Sequence, residues 1–293
     1  YTKATMNSGK VRNRGIELQL DGTPVKTKNF TWNSTFTWAK NYNKVLSLAA
    51  GLTDGQTIAY TGGTNCALIA KVGGSIGDIY GYKLKRAPDG QVVWKDGITA
   101  RTTEFEYVGN AYPAWKAGFS NEFSYKNFRV SILFDGQWGG IVYSQTHHKM
   151  TEHGTLTHTL KYRENPNFEV VGEGVMLDER GQYVPNNVPI SVSKYYADYW
   201  RRANVETNSF DASFLKLREA RIEYTIPSAG LNKIGIERLT LALYGRNLAM
   251  WTKDFPVYDP EVATLNNGTI VPGSEMGQLP STRTMGFNLT LKF

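Results

Sequence analysis

Apolar and polar side chains alternate strictly along this chain, in segments of about ten residues, and few architectures accept such a pattern. In the closing segment, RTMGFNLTLKF, one face carries Met285, Phe287, Leu289, Leu291 and Phe293, and the other carries Thr284, Gly286, Asn288, Thr290 and Lys292. The same rhythm sets Ile16, Leu18 and Leu20 against Glu17, Gln19 and Asp21, and Phe30, Trp32, Phe36 and Trp38 against Thr31, Asn33, Thr35 and Thr37. It recurs through Trp115–Tyr125, Phe128–Trp138 and Leu239–Leu243. Near 212–226 the pattern slips: Ala220, Ile222, Tyr224 and Ile226 share a phase that Leu215 and Leu217 do not. A bulge, or a strand rising beyond an apolar zone, accounts equally for the slip.

Alternation alone also describes a soluble sandwich. Three features favour a membrane β-barrel. The segments run to about 9–11 residues, the length needed to cross a bilayer at a tilt. Aromatic residues stand near the ends of the apolar faces, Trp115 and Tyr125 on one segment and Phe128 and Trp138 on the next, as in interfacial girdles. Connections alternate between short (GTPVKTK, YKN, PSAGLNKIG) and long (43–114, 139–211, 252–282), matching periplasmic turns and extracellular loops.

No apolar run approaches the ~18 residues of a spanning helix, which says nothing against a barrel. The net charge of +7 is scattered, so nucleic acid is not an expected partner. Cys66 stands alone and reads as a spare loop thiol. Counting back from an inward final strand gives roughly seven strands, an odd arc that cannot close by itself. The expectation is that further strands precede Tyr1.

Eight segments, in order, resemble the C-terminal part of the SusC/RagA-type TonB-dependent outer-membrane transporters of Bacteroidetes. They are NRGIELQL, NFTWNSTFTWAKNYNKV, GDIYGYKL, GNAYPAWKAGFSNEFSYKNFRVSILFDGQWGG, ASFLKLREARIEYTIP, LALYGRNLAMWTK, DPEV and PGSEMGQLPSTRTMGFNLTLKF. Where the family often carries an acidic stretch, this chain has only Asp89 and Asp96, too few oxygens for a calcium loop.

The resemblance implies an all-β fold, an antiparallel transmembrane arc belonging to a barrel of about 22 strands that holds a plug. Residues 1–293 would be the C-terminal portion of that barrel, with plug and N-terminal strands outside the chain. It implies energised import of a glycan or oligopeptide across the bacterial outer membrane, with a SusD-like surface lipoprotein as lid and TonB–ExbB–ExbD as the drive. No catalytic residue, cofactor or metal is expected. A passive porin and a soluble carbohydrate-binding β-domain are the alternatives.

Several loop residues are candidates for substrate contact. Tyr196, Tyr199 and Trp200 in YYADYW share one helical face, and Trp94 and Tyr258 are further rings outside the strands. Arg201 could grip a carboxylate. The four histidines, His147, His148, His153 and His158, fall in one short window, but their spacing does not suit a helical zinc pair and they read as solvated loop or lid contact. Pro256, Pro260, Pro272 and Pro280 stiffen the last long segment. Phe293, an aromatic at the end of an alternating strand, is the expected barrel-assembly signal.

Overall fold

The computed structural model describes residues 9–293 except 50–51, 53–54, 62, 228–230, 232–234, 262–263 and 267–268. Seven long strands form one sheet: β1 (Gly9–Lys26), β2 (Phe30–Leu48), β3 (Trp115–Tyr125), β4 (Phe128–Trp138), β5 (Phe214–Ile226), β6 (Arg238–Thr252) and β7 (Thr284–Lys292). Each pairs antiparallel with its neighbour in chain order, an up-and-down meander. The β1–β2 and β3–β4 turns are short, while most of the β5–β6 connection (PSAGLNKIG) lies outside the described residues.

Register turns local alternation into a continuous surface. Val25, Trp32, Phe123, Val130, Ile222, Leu243 and Phe287 are successive partners across all seven strands. This row is not covered: Phe287 is 79% exposed and Leu243 63%. Trp32 and Ile132 are half-exposed, and no residue of the sheet enters any of the four buried apolar clusters among the described residues. A seven-strand apolar face without a second layer is what hydrocarbon contact demands.

Rings mark both ends of that face. Phe30, Tyr125, Phe128 and Tyr224 align in one row by the short turns, with Phe128 and Tyr224 in contact. By the long connections Trp115 stacks on Trp138 at 6.3 Å, and Trp38 and Trp251 stand in the adjacent row on the same face, two residues nearer the middle of the sheet. Ten residues separate Phe128 from Trp138 on β4. At ~3.4 Å per residue and a tilt near 40°, the two belts stand about 25 Å apart, the height of a barrel's apolar band. One amide interrupts the apolar face, and it is satisfied: Asn121 is buried and accepts from the Trp32 indole at 2.9 Å.

The slip on β5 is a bulge. Leu133 faces Glu219 and Phe134 faces Leu217, so Arg218 is the extra residue, while Asn247 on β6 takes φ 51° opposite the same point. Above the bulge Leu215 and Leu217 face out with Lys216 turned in; below it Ala220 and Ile222 face out. Both phases therefore keep their apolar residues on the outer face.

The sheet is open, with β1 and β7 at its edges. Unpaired edges do not survive in lipid, so further strands must close the wall. Ile132 sits midway between the aromatic belts and faces out. Ile132→Arg in the full-length protein is expected to cost about 2–4 kcal/mol in a bilayer. Inward-facing Ser131→Arg should cost far less, both read by denaturant unfolding in lipid vesicles.

Candidate functional site

All four apolar clusters lie in the three long connections, which fold into a cap on one end of the sheet. Their strands pair across connections. Ile141–Ser144 lies between Ser209–Asp211 and Ser274–Glu275, so the second and third connections share a sheet. Val175–Leu177 runs parallel to Val93–Lys95, joining the second connection to the first. Where all three meet, Cys66, Leu68, Ile79, Tyr143, Val205 and Val271 form one buried cluster. Cys66 is thus a core residue on a strand rather than a spare loop thiol, and burial pushes its pKa up to about 12, so it stays protonated.

Four of the five predicted rings, Trp94, Tyr196, Tyr199 and Trp200, form one assembly and stack mainly on each other and on Tyr195. Its tyrosines come from helix α2 (Val192–Tyr199), capped by Ser191, and Trp94 from the strand Val93–Lys95, while α1 (Gln145–Glu152), capped by Ser144, packs beside α2. Trp94 is 1% exposed and stacks on Tyr195 and Tyr199, each at 6.1 Å, while its indole donates to the Glu173 carbonyl at 2.9 Å. Gly172 and Gly174 lie against that indole, where any Cβ would collide with the ring. Tyr196 is buried, stacks on Trp200 at 5.5 Å and donates to the His158 carbonyl at 2.9 Å.

Tyr199 and Trp200 are half-buried at the margin of this cluster, and Arg201 donates to the Thr99 carbonyl at 2.8 Å with Asp198 at 3.4 Å. Arg201 thereby ties the second connection to the first. Tyr258 lies elsewhere, donating to the Glu275 carboxylate and to the Gln278 carbonyl at 3.0 Å. A cleft of about 200 Å³ opens beside the rings, lined by His147, His158, Lys161, Tyr162, Tyr196 and Trp200 among others.

His153 is exposed, as a solvated loop would have it, but the other three histidines are not. His147 and His148 are buried in α1; His147 Nδ1 lies 2.9 Å from Asn208 Oδ1, and His148 Nδ1 lies 2.8 Å from the Trp200 carbonyl oxygen. His158 stacks on His147 at 5.3 Å. Burial lowers all three, His147 to about 4, so they are neutral at pH 7. The reason is packing: at i and i+1 on a short helix wedged between two connections, both rings have protein on every side.

Two charged centres were not anticipated. Glu275, fully buried, accepts from Ser144 Oγ (2.6 Å), Thr146 Oγ1 (2.6 Å), Tyr258 and the Gly277 amide. Burial would raise its pKa, yet these donors hold it below the usual carboxylate range. Lys216 from β5, 3% exposed, reaches both oxygens of Asp259 at 2.7 Å and also Glu261. Beside it Arg218 makes a bidentate pair with Asp135 at 2.7 Å and meets Glu261 at 2.8 Å. The segments DPEV and PGSEMGQLP contain the carboxylates Asp259, Glu261 and Glu275, but their partners Lys216, Arg218, Ser144 and Thr146 lie more than forty residues away in sequence.

Comparison with known proteins adds the decisive observation. No family model matches the chain. TonB-dependent receptor P26 of Formosa agariphila is 29% identical over all of this chain, and receptor P3 of the same organism is 24% identical over 98% of it. TonB-dependent receptor SusC of Bacteroides thetaiotaomicron is 26% identical over 47% of the chain. A solved structure of the RagAB peptide transporter superposes on 98% of the chain with a TM-score of 0.64 at 19% identity. In sequence the chain is thus similar to TonB-dependent receptors over its whole length, and in fold to the RagAB transporter.

It spans about 30% of the length of these full-length matches, 30% of receptor P26 and 30% of the RagAB chain. The structural likeness establishes the fold, an arc of seven wall strands carrying three interlocked connections.

Two outcomes follow from the charges. The histidines have native pKa values below the ~6.5 of an unfolded chain, so the open state takes up protons that the folded cap refuses. Cap stability is therefore full above about pH 6.5 and declines as pH falls toward about 4, by at most about 3 kcal/mol for His147. Protection factors of amides in 145–163, taken relative to the intrinsic exchange rate at each pH, should fall accordingly between about pH 7 and about pH 5, and His147→Gln should flatten that dependence. Lys216→Met leaves Asp259 buried without its cation and should loosen 253–261 by about 3–5 kcal/mol, read by the same method.

Proposed function

We propose that this chain forms wall and outward loops of an energised outer-membrane importer. Residues 1–293 would be the C-terminal part of the barrel domain, completed by further strands and a plug. TonB–ExbB–ExbD would act through those missing parts, and a SusD-like lipoprotein would close over the cap. The supporting observation is the correspondence of the wall and cap to a structure described as a peptide transporter, together with relatives named TonB-dependent receptors.

The substrate class is a polar oligomer, an oligopeptide or a glycan. Tyr199, Trp200 and Arg201 would meet it at the margin of the cap, with Trp94 and Tyr196 beneath as their fixed support and Tyr258 on the third connection. Aromatic faces suit both sugar rings and apolar peptide side chains, and the guanidinium suits a carboxylate. Phe293, exposed beyond β7, would serve barrel assembly. The chain supplies no catalytic residue, cofactor or metal ligand in this reading; its residues bind and orient.

Uptake of labelled oligopeptide and of labelled glycan by cells expressing the full-length protein tests the reading. Uptake of one class should fall to background when TonB is deleted or the proton gradient is collapsed. A passive porin would keep its uptake in both cases. Trp200→Ala should lower uptake several-fold at limiting substrate while heat-modifiable migration of the folded barrel persists.

A further inference from the structure

We propose that the outer face of the β1–β2 hairpin, immediately beyond the tryptophan belt, binds the phosphate groups of an outer-leaflet lipid. The inference rests on the membrane orientation given above. Register places Arg12 opposite Lys44, Arg14 opposite Tyr42, Ile16 opposite Lys40 and Leu18 opposite Trp38, all on one face.

The other face is turned inward. Asn43 donates to Asn13 at 2.7 Å and accepts from Ser75 Oγ at 3.0 Å and the Ile76 amide at 2.8 Å, and Val45 is fully buried under the cap. The four cations therefore continue the lipid-facing row of Leu18 and Leu20 upward, past the point where hydrocarbon ends.

Height agrees with this. Lys40, Tyr42 and Lys44 stand two, four and six residues beyond Trp38. At ~3.4 Å per residue and a tilt near 40°, they span about 5–15 Å above the ring, the depth of lipid headgroups. Tyr42 also borders a cleft of about 380 Å³ shared with Tyr112, Pro113 and Trp115.

Charge is what selects the occupant. Several inward cations of the wall are matched, Lys216 by Asp259, Arg218 by Asp135, Arg221 by Glu223 and Arg246 by Glu219, whereas inward Lys116 stands singly rather than in a row. Among the described residues no carboxylate pairs with Arg12, Arg14, Lys40 or Lys44. Four unmatched cations beside an exposed tyrosine and an apolar band fit an amphiphile with anionic phosphate above acyl chains. Guanidinium groups hold phosphate oxygens in pairs, and each basic residue near an anionic surface adds to the attraction.

The test uses full-length protein in phosphatidylcholine nanodiscs doped with bis-phosphorylated lipid A or with its dephosphorylated form, scoring retained glycolipid by mass spectrometry. Wild-type protein should retain the phosphorylated form preferentially and lose it as salt rises. Arg12→Gln/Arg14→Gln/Lys40→Gln/Lys44→Gln should retain on the order of tenfold less or lower still, while Arg12→Lys/Arg14→Lys should keep most of the preference.

Equal retention of both glycolipids by the wild type, or unchanged retention by the quadruple variant, overturns the assignment. Release of a protein partner from that variant with lipid retention unchanged overturns it too, making the row a protein interface. If the quadruple variant does not insert, the wild-type salt and dephosphorylation arms decide. Loss of TonB dependence with lipid preference intact sinks the importer reading alone.

Discussion

In hydrocarbon there is no water to satisfy a backbone amide, and the rest of this molecule follows from that. A peptide group left unpaired at membrane depth costs several kcal/mol, so a chain that crosses by strands must pair each strand on both sides. Pairing fixes neighbouring side chains to alternate faces, and the sheet then presents one continuous surface to lipid. The row from Val25 to Phe287 is that surface, each member brought there by backbone hydrogen bonds rather than by packing. Asn121 obeys the same rule at side-chain level, kept on the outer face only because Trp32 supplies a donor.

The bulge at Arg218 shows how a wall of this kind acquires a fixed attachment for its loops. A regular strand would send residues 216 and 218 inward and residue 219 outward. The extra residue lets Lys216, Arg218 and Glu219 all address the interior while the apolar residues on either side keep to lipid. Lys216 and Arg218 then clasp Asp259 and Glu261 of the last connection. Breaking alternation once converts a scaffold strand into the anchor of a loop, and the desolvated ions make that anchor specific in geometry even if its net stabilisation is modest.

The wall was legible in the sequence because its determinants are local. A period of two, girdle rings at segment ends and connection lengths are all read within a dozen residues, so strands near 16–20, 30–38, 115–125, 128–138, 239–246 and 284–293 emerge without tertiary information. The slip between Leu217 and Ala220 was visible too, though only register with Leu133 and Phe134 distinguishes a bulge from a strand leaving the membrane. The cap was not legible. Its sheets pair residues from different connections, as Val175 with Val93 and Tyr143 with Ser274, and nothing near either strand announces the other. The cationic row on β1 and β2 lay between: its residues are plain in sequence, but its common face needs the register of Arg12 with Lys44.

The same non-locality changes what a loop aromatic means. Loops of this length are usually solvated and their rings free to meet ligands. Here the three connections together are larger than the wall that carries them, and they require apolar interior of their own. Trp94 fills that need, pinned by Gly172 and Gly174 against Tyr195 and Tyr199. His147 and His158 fill it as well, as neutral flat rings rather than as charges. A cap with its own core behaves as a rigid ledge on the end of the wall. The rings left half-exposed, Tyr199 and Trp200, are held in place by the buried ones, so their positions cost little further ordering when something binds.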